Sequence, residues 1–264
     1  MTVAILMPYY NYPAGLARTL ESLRGEREAF ELYLVDDGSD PALLLHPVAY
    51  DFPVHLIRLE TNSGIEGALN AGIAKILTDG HKFIARIDAG DLWLPGRLAA
   101  QRDFLLAHPD HVMVGSWATS FNEAEGDRFT LRYPCNDAEI RRYLHINSAF
   151  CHPAVMLRAA AVQAADGYSN QFPAAEDYEF FSRLLKLGKA ANLPAVWLRY
   201  EVAAGVPSIS YQKRQRQLFS RLKIQWRLFD ARDWLSWWGL LRTMILICLP
   251  YKLLLKFKSR FWRA

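Results

Sequence analysis

Along the first half of the chain, short unbroken apolar runs alternate with longer stretches whose apolar residues recur every three or four positions. The run VAILM (3–7) is apolar throughout, as expected of a parallel strand covered on both faces. Residues 13–24 then place Leu16, Leu20 and Leu23 at helical spacing. FELYLVDDGSD reads as a second strand ending in acids and turn residues, and VHLIRL (54–59) as a third. Residues 64–77 predict a helix with Ile65, Ala68, Leu69, Gly72, Ile73 and Ile76 inward. KFIARID is a fourth strand, residues 98–106 are helical, and HVMVGSW is a fifth strand. This rhythm predicts an α/β fold, a Rossmann-like central sheet with helices on both faces. In such sheets ligands bind beyond the carboxyl ends of the strands, and PYYN, DDGS, ETNSG and DAGD stand at those ends. No Gly-x-Gly-x-x-Gly follows the first strand, which argues against a dinucleotide-binding oxidoreductase.

Beyond residue 150 the pattern loosens. CHPAVMLR reads as a strand, and AAEDYEFFSRLLKLG as a helix opened by acids, which suit the positive helix start, and closed by Gly188. ANLPAVWLRY returns to strand. The remaining residues differ in kind. Residues 213–264 hold 13 Lys/Arg against 2 Asp/Glu, so the +4 net charge conceals a basic tail on an acidic body. Within the tail, Leu218, Leu222, Trp226 and Phe229 recur at helical spacing between basic residues. Between Asp233 and Lys252 only Arg242 is charged. A spanning helix needs about 20 predominantly apolar residues, and an Arg at mid-bilayer costs roughly 2.5 kcal/mol or more. The pattern therefore favours helices lying in an anionic membrane interface over a span, with Trp234, Trp237 and Trp238 at the headgroups. A helical pair packed on the domain or on a partner is the competing reading. Interleaved Trp and Leu suit a membrane surface better than nucleic acid. Three scattered Cys suit a reducing compartment, and the N-terminus lacks the basic start of a signal peptide.

The blocks AILMPYYNYPAGLARTLESL, FELYLVDDGSD, NSGIEGALNAGI and KFIARIDAGDLWLPGRLAAQRDFL, then HPAVMLRAAAVQAADGYSNQFPAAEDYEFFSRLLKLGKAANLP, have a familiar order and spacing. They resemble the inverting family 2 glycosyltransferases of the GT-A fold, of the bacterial surface-polysaccharide type. The resemblance implies a GT-A domain over residues 1–210 and a membrane-associating helical tail over 211–264.

By that resemblance, Pro8, Tyr10 and Asn11 line the base and ribose site of a nucleotide-sugar donor, UDP by default. Asp37 accepts from the base, and Asp36 supports its loop. Asn62 and Gly64 open a helix whose free amides approach the diphosphate, with plain capping by Asn62 or Ser63 as the local alternative. Asp88 matches the first acid of the family's metal motif, for Mn2+ or Mg2+. Gly90 stands where the family places its closest metal ligand, and Asp91 is the remaining carboxylate. Three outcomes stay open: Asp91 takes over as ligand, metal binds through Asp88 and water, or metal is lost. The family's His after the strand VWLRY is also missing from EVAAGVPSIS. Asp177, beside Glu176, matches the general base, and His152 is placed near the acceptor. The implied activity is inverting transfer of a sugar to a glycan or lipid-linked acceptor, in the cytoplasm on the inner membrane face. A degenerate, non-catalytic sugar-nucleotide-binding or scaffolding protein is the alternative.

Overall fold

The computed structural model describes residues 2–44, 50–202 and 214–249. Among them nine strands form one sheet in the order β3-β2-β1-β4-β8-β6-β9-β5, with β7 paired to β6. The strands are β1 (Val3–Tyr9), β2 (Phe30–Asp36), β3 (Val54–Arg58), β4 (Phe83–Arg86), β5 (Leu92–Trp93), β6 (His111–Asn122), β7 (Gly126–Leu131), β8 (Met156–Arg158) and β9 (Lys189–Glu201). Strands β1, β2, β3 and β4 pair in parallel. β8 runs against both β4 and β6, and β9 runs with β6. The carboxyl end of β9 therefore opens on the same sheet edge as those of β1, β2 and β4.

Period-two alternation decides the two cores. Every residue of β1 is buried. Ala4 and Leu6 face one core with Ala68, Leu69, Ile73 and Ile76 of α2 (Gly64–Thr78). Val3, Ile5 and Met7 face the other, with Leu16, Leu20 and Leu23 of α1 (Pro13–Leu23) and Leu98 of α3 (Arg97–Ala107). Each position expected inward on α1 is buried; on α2 Ile65 alone is only partly so.

Three expectations change. HVMVGSW extends to Asn122 and returns as β7, an edge hairpin whose polar outer residues carry no apolar run. CHPAVMLR yields only the three residues of β8, because a 3-10 turn at His152–Ala154 precedes it; Pro153 has no N–H to give a central ladder. Helices α4 (Asp137–Leu144) and α5 (Ala159–Ala164) add to the expected α6 (Glu176–Leu184).

The described tail is a helical pair, α7 (Arg214–Arg227) and α8 (Trp234–Cys248), packed on the domain. Ile224 enters the core of α2 and α6. Ser220 Oγ donates to Pro173 O, and Gln225 Nε2 to Ile146 O. Ser236 Oγ meets His145 Nδ1 at 2.9 Å. The stripe Leu218–Leu222–Trp226–Phe229 does not act as one face: Leu218 is buried while Trp226 is 70% exposed. No helix of the described residues is long and apolar enough to cross a membrane.

Candidate active site

At the end of β2 the two acids divide the work. Asp36 is fully buried. It accepts the N–H groups of Ser39 and Leu43 and pairs with Arg58 at 2.6 Å, so it builds the loop that follows. Asp37 accepts the Ser63 N–H at 2.7 Å. Ser63 is the N-cap of α2 and makes no side-chain cap of its own. The cap is supplied across the sheet edge by Asp37, not by Asn62 or Ser63. Burial pushes the Asp37 carboxyl up, and the amides of Ser63 and Gly64 pull it back. Asn11, with φ +45, donates its N–H to Ser39 Oγ and accepts the Asp40 N–H, tying the first two strand ends together. Pro8 is buried in β1, and Tyr10 stands half-exposed beyond it.

At the end of β4, Arg86 is only 2% exposed and forks onto Asp88, with nitrogen–oxygen distances of 3.2 and 2.8 Å. Burial opposes the guanidinium's charge, but Asp88, helped by Glu176, raises its pKa above the ordinary arginine value. Asp91 is buried. Its Oδ1 accepts the Glu201 N–H at 2.8 Å, and its Oδ2 has no partner among the described residues. Burial first, then the Asp88 charge, holds this carboxyl well above its usual range.

Gly90 has φ +111, and a Cβ there would collide with Glu201 Oε2. The space beside the missing acid is thus taken by a carboxylate from the end of β9. Asp91 is not the only acid near Gly90, as the local sequence suggested. Glu201 is itself engaged by Tyr12 Oη and by Arg18, at 2.6 Å. No signal near DAGD announces it, because the two segments meet only through the parallel pairing of β6 and β9 and its β5 partner.

The carboxylates gathered here are largely engaged within the chain. Among the described residues no three His, Cys, Asp or Glu side chains are grouped so that they could hold an ion. Asp88 and Glu201 each answer to an arginine, and one Asp91 oxygen is committed to the backbone. Arg97 is fully buried: it stacks on Trp93 and donates to Arg86 O and Gln101 Oε1.

At the start of α6, Glu176 and Asp177 follow Ala174, which is held at φ +60. Asp177 opens into a cavity of about 160 Å3 lined also by Tyr133, Asn147, Ser148, Gln217 and Arg221. Burial pushes Asp177 up, opposed by the Tyr178 amide and by Arg86 and Arg221. Glu176 is raised to about 7 by burial and by its neighbour Asp177. Arg86 feels Asp88, Glu176 and Asp177, and Tyr200 feels Asp91, Asp88 and Asp177. Acids from distant segments therefore share one electrostatic field. His152 meets Tyr168 Oη at 2.8 Å and packs near Phe181. Burial, then Arg86, keeps its imidazole neutral.

A family model described as "Glycosyl transferase family 2" matches residues 4–164. The chain is 32% identical over 234 residues to the amylovoran biosynthesis glycosyltransferase AmsE of Erwinia amylovora, covering 84% of this chain and 85% of that protein. It is 24% identical to the UDP-Glc:alpha-D-GlcNAc-diphosphoundecaprenol beta-1,3-glucosyltransferase WfgD of Escherichia coli, over 85% and 83% of the two chains. Staphylococcus aureus TarS 1–349 in complex with UDP-GlcNAc shares the fold at a TM-score of 0.68 and 17% identity, over 88% of this chain and 68% of that one. So does the Pyrobaculum calidifontis mannosyltransferase PcManGT, solved with GDP-Man and Mn2+, at a TM-score of 0.59 and 15% identity, over 93% and 69%.

Proposed function

From the premise that this chain belongs to glycosyl transferase family 2, we propose that it carries one sugar from a UDP-sugar to a hydroxyl of a lipid-linked glycan, inverting the anomeric centre. The carrying observation is Asp177: an acid at a helix start, open to a cavity, that accepts from the Tyr178 amide and has no other side chain as hydrogen-bond partner among the described residues. The acceptor oxygen attacks the anomeric carbon on the face opposite the nucleotide. Its proton passes to Asp177 as the new carbon–oxygen bond forms, and UDP departs with the bonding pair of the old one. A base serves best with a pKa near working pH, and burial moves Asp177 in that direction. Glu176, protonated to about pH 7, leaves the negative charge to its neighbour. Arg86, held charged in a dry site, supplies a fixed positive field toward the departing diphosphate. No step of this reading passes through a divalent ion.

UDP is supported by the donors named for WfgD and bound to TarS, and a lipid-linked acceptor by the name of WfgD. The membrane reading rests on α7 and α8, where Trp226, Trp234, Trp237 and Trp238 are 46 to 70% exposed beside basic residues. They suit the headgroups of the inner face of the cytoplasmic membrane. Replacing these four by Ser should abolish co-sedimentation with phosphatidylglycerol vesicles; unchanged binding rejects the surface.

A panel of nucleotide sugars with lipid-linked acceptors tests the transfer. Turnover that vanishes in Asp177→Asn while donor binding persists supports the reading. Turnover that survives places the base elsewhere, and binding without turnover across the whole panel leaves the non-catalytic alternative.

A further inference from the structure

The cavity over Asp177 is closed on one side by the tail. Gln217 and Arg221 lie one helical turn apart on α7 and both line it. Arg221 is a cation half withdrawn from water. Among the described residues it makes no ion pair and no hydrogen bond. Burial lowers its pKa first and a second cation, Arg242 of α8, lowers it next, ahead of the opposing pull of Tyr178 and Asp177. Arg242 likewise has no ion-pair partner among the described residues. It is the single charge that interrupts the apolar run of the tail.

Two neighbouring arginines with no ion-pair partner among the described residues repel each other, and Asp177 across the cavity offsets only part of that. Such a pair is stabilised by an anion that each can grip with a planar fork, and phosphate oxygens match that fork. The setting narrows the anion further. Arg221 shares its cavity with the catalytic base, so the anion must belong to the molecule whose hydroxyl Asp177 deprotonates. The same hairpin turns Trp237, Trp238, Leu241 and Ile245 outward, each 45 to 59% exposed. An acceptor carrying sugar, phosphate and lipid in that order would meet the base, the arginines and the apolar surface in the same order.

We infer that Arg221 and Arg242 form the phosphate-binding end of the acceptor site, and that the acceptor is a sugar joined through a diphosphate to a lipid. This rests on Asp177 being the base of the transferase. Arg221 and Arg242 are binding and positioning residues: they hold the acceptor's phosphates so that its sugar hydroxyl lies against Asp177.

The test uses the full chain in neutral detergent and two probes with one sugar, a decyl-diphosphate-linked N-acetylglucosamine and the decyl glycoside of N-acetylglucosamine. Titration calorimetry should show the diphosphate probe bound at least tenfold more tightly. The advantage should fall below threefold in Arg221→Gln and in Arg242→Gln, persist in part in Arg221→Lys, and be untouched in Lys223→Gln, an exposed cation of the same helix. Vesicle co-sedimentation of Arg221→Gln should match the parent, which assigns the phosphate to the acceptor and not to a membrane headgroup. Equal affinity for the two probes, an advantage that survives the Arg221→Gln/Arg242→Gln double variant, or vesicle binding lost with Arg221 overturns the proposal. A parent that prefers the diphosphate probe yet transfers no sugar from any donor breaks the transferase reading instead and leaves the anion site standing.

Discussion

The two sides of the cleft are built on opposite electrostatic plans. On the strand-end side each open acid has its arginine: Asp88 has Arg86, and Glu201 has Arg18. On the side under α7 the charges are left unmatched, with Asp177 free of side-chain partners and Arg221 beside Arg242. Matched charges hold a shape, because breaking either partner leaves a desolvated charge behind. Unmatched charges are poised for something that arrives. On the proposed reading, rigidity belongs to the donor edge and chemistry to the acceptor cavity.

The largest effect that could break this contrast is catalytic. Asp177→Asn should lower kcat by about 10²–10⁴-fold, the usual span for a positioned general base, with little change in melting temperature. Arg86→Met should act in the opposite register. Stranding Asp88 beside a buried apolar side chain should cost about 3 kcal/mol of stability, read by urea unfolding. Equal loss of stability in both variants would erase the distinction.

Gly90→Asp probes the donor edge at a finer level. Its side chain should collide with Glu201 and lower the melting temperature, and Gly90→Asp/Glu201→Ala should recover only part of the loss, because φ +111 strains any side chain at that position. The double variant should also bind Mn2+ more tightly than the parent in a spin-resonance titration, since it restores an acid beside Asp88 without the Arg18 partner. Equal Mn2+ affinity would show that the acid at position 90 is not what the site lacks.

The smallest effect is a shift in pH. The base must be ionised, so kcat/KM should rise with pH along an acid limb set by the Glu176–Asp177 pair. Glu176→Gln removes the neighbouring acid and should move that limb to lower pH. The same group bears on stability. Glu176 keeps its proton to about pH 7 when folded but loses it near its ordinary value when unfolded. Between these the folded state binds more protons, so stability falls as pH rises, and Glu176→Gln should flatten that slope.

What was legible in the sequence was whatever a local pattern could carry. The two-faced burial of β1, the inward faces of α1 and α2, and the acids opening α6 all follow from spacing within one element. The role of Asp36 as loop support was implied by the family resemblance, and its bonds to the Ser39 and Leu43 amides agree with it. What could not be read depended on which segments the topology brings together. Asp37 caps a helix through the N–H of Ser63, 26 residues later. Glu201 reaches Gly90 because β9 runs with β6 and pairs against β5, with Leu92 opposite Arg199. Trp226 recurs at the spacing of a buried stripe yet points outward, since the docked face of α7 is set by Ser220, Ile224 and Gln225.

Gly239 lies so close to the His145 carbonyl that any side chain there would strike it, and this contact seats α8 against α4. The wall behind Arg221 depends on that seat, and it comes from the last fifth of the polypeptide. Removing α7 and α8 would therefore also open the cavity over Asp177 to water. A chain so shortened would keep the acids at the ends of β2 and β4 and lose the wall that Gln217 and Arg221 give that cavity.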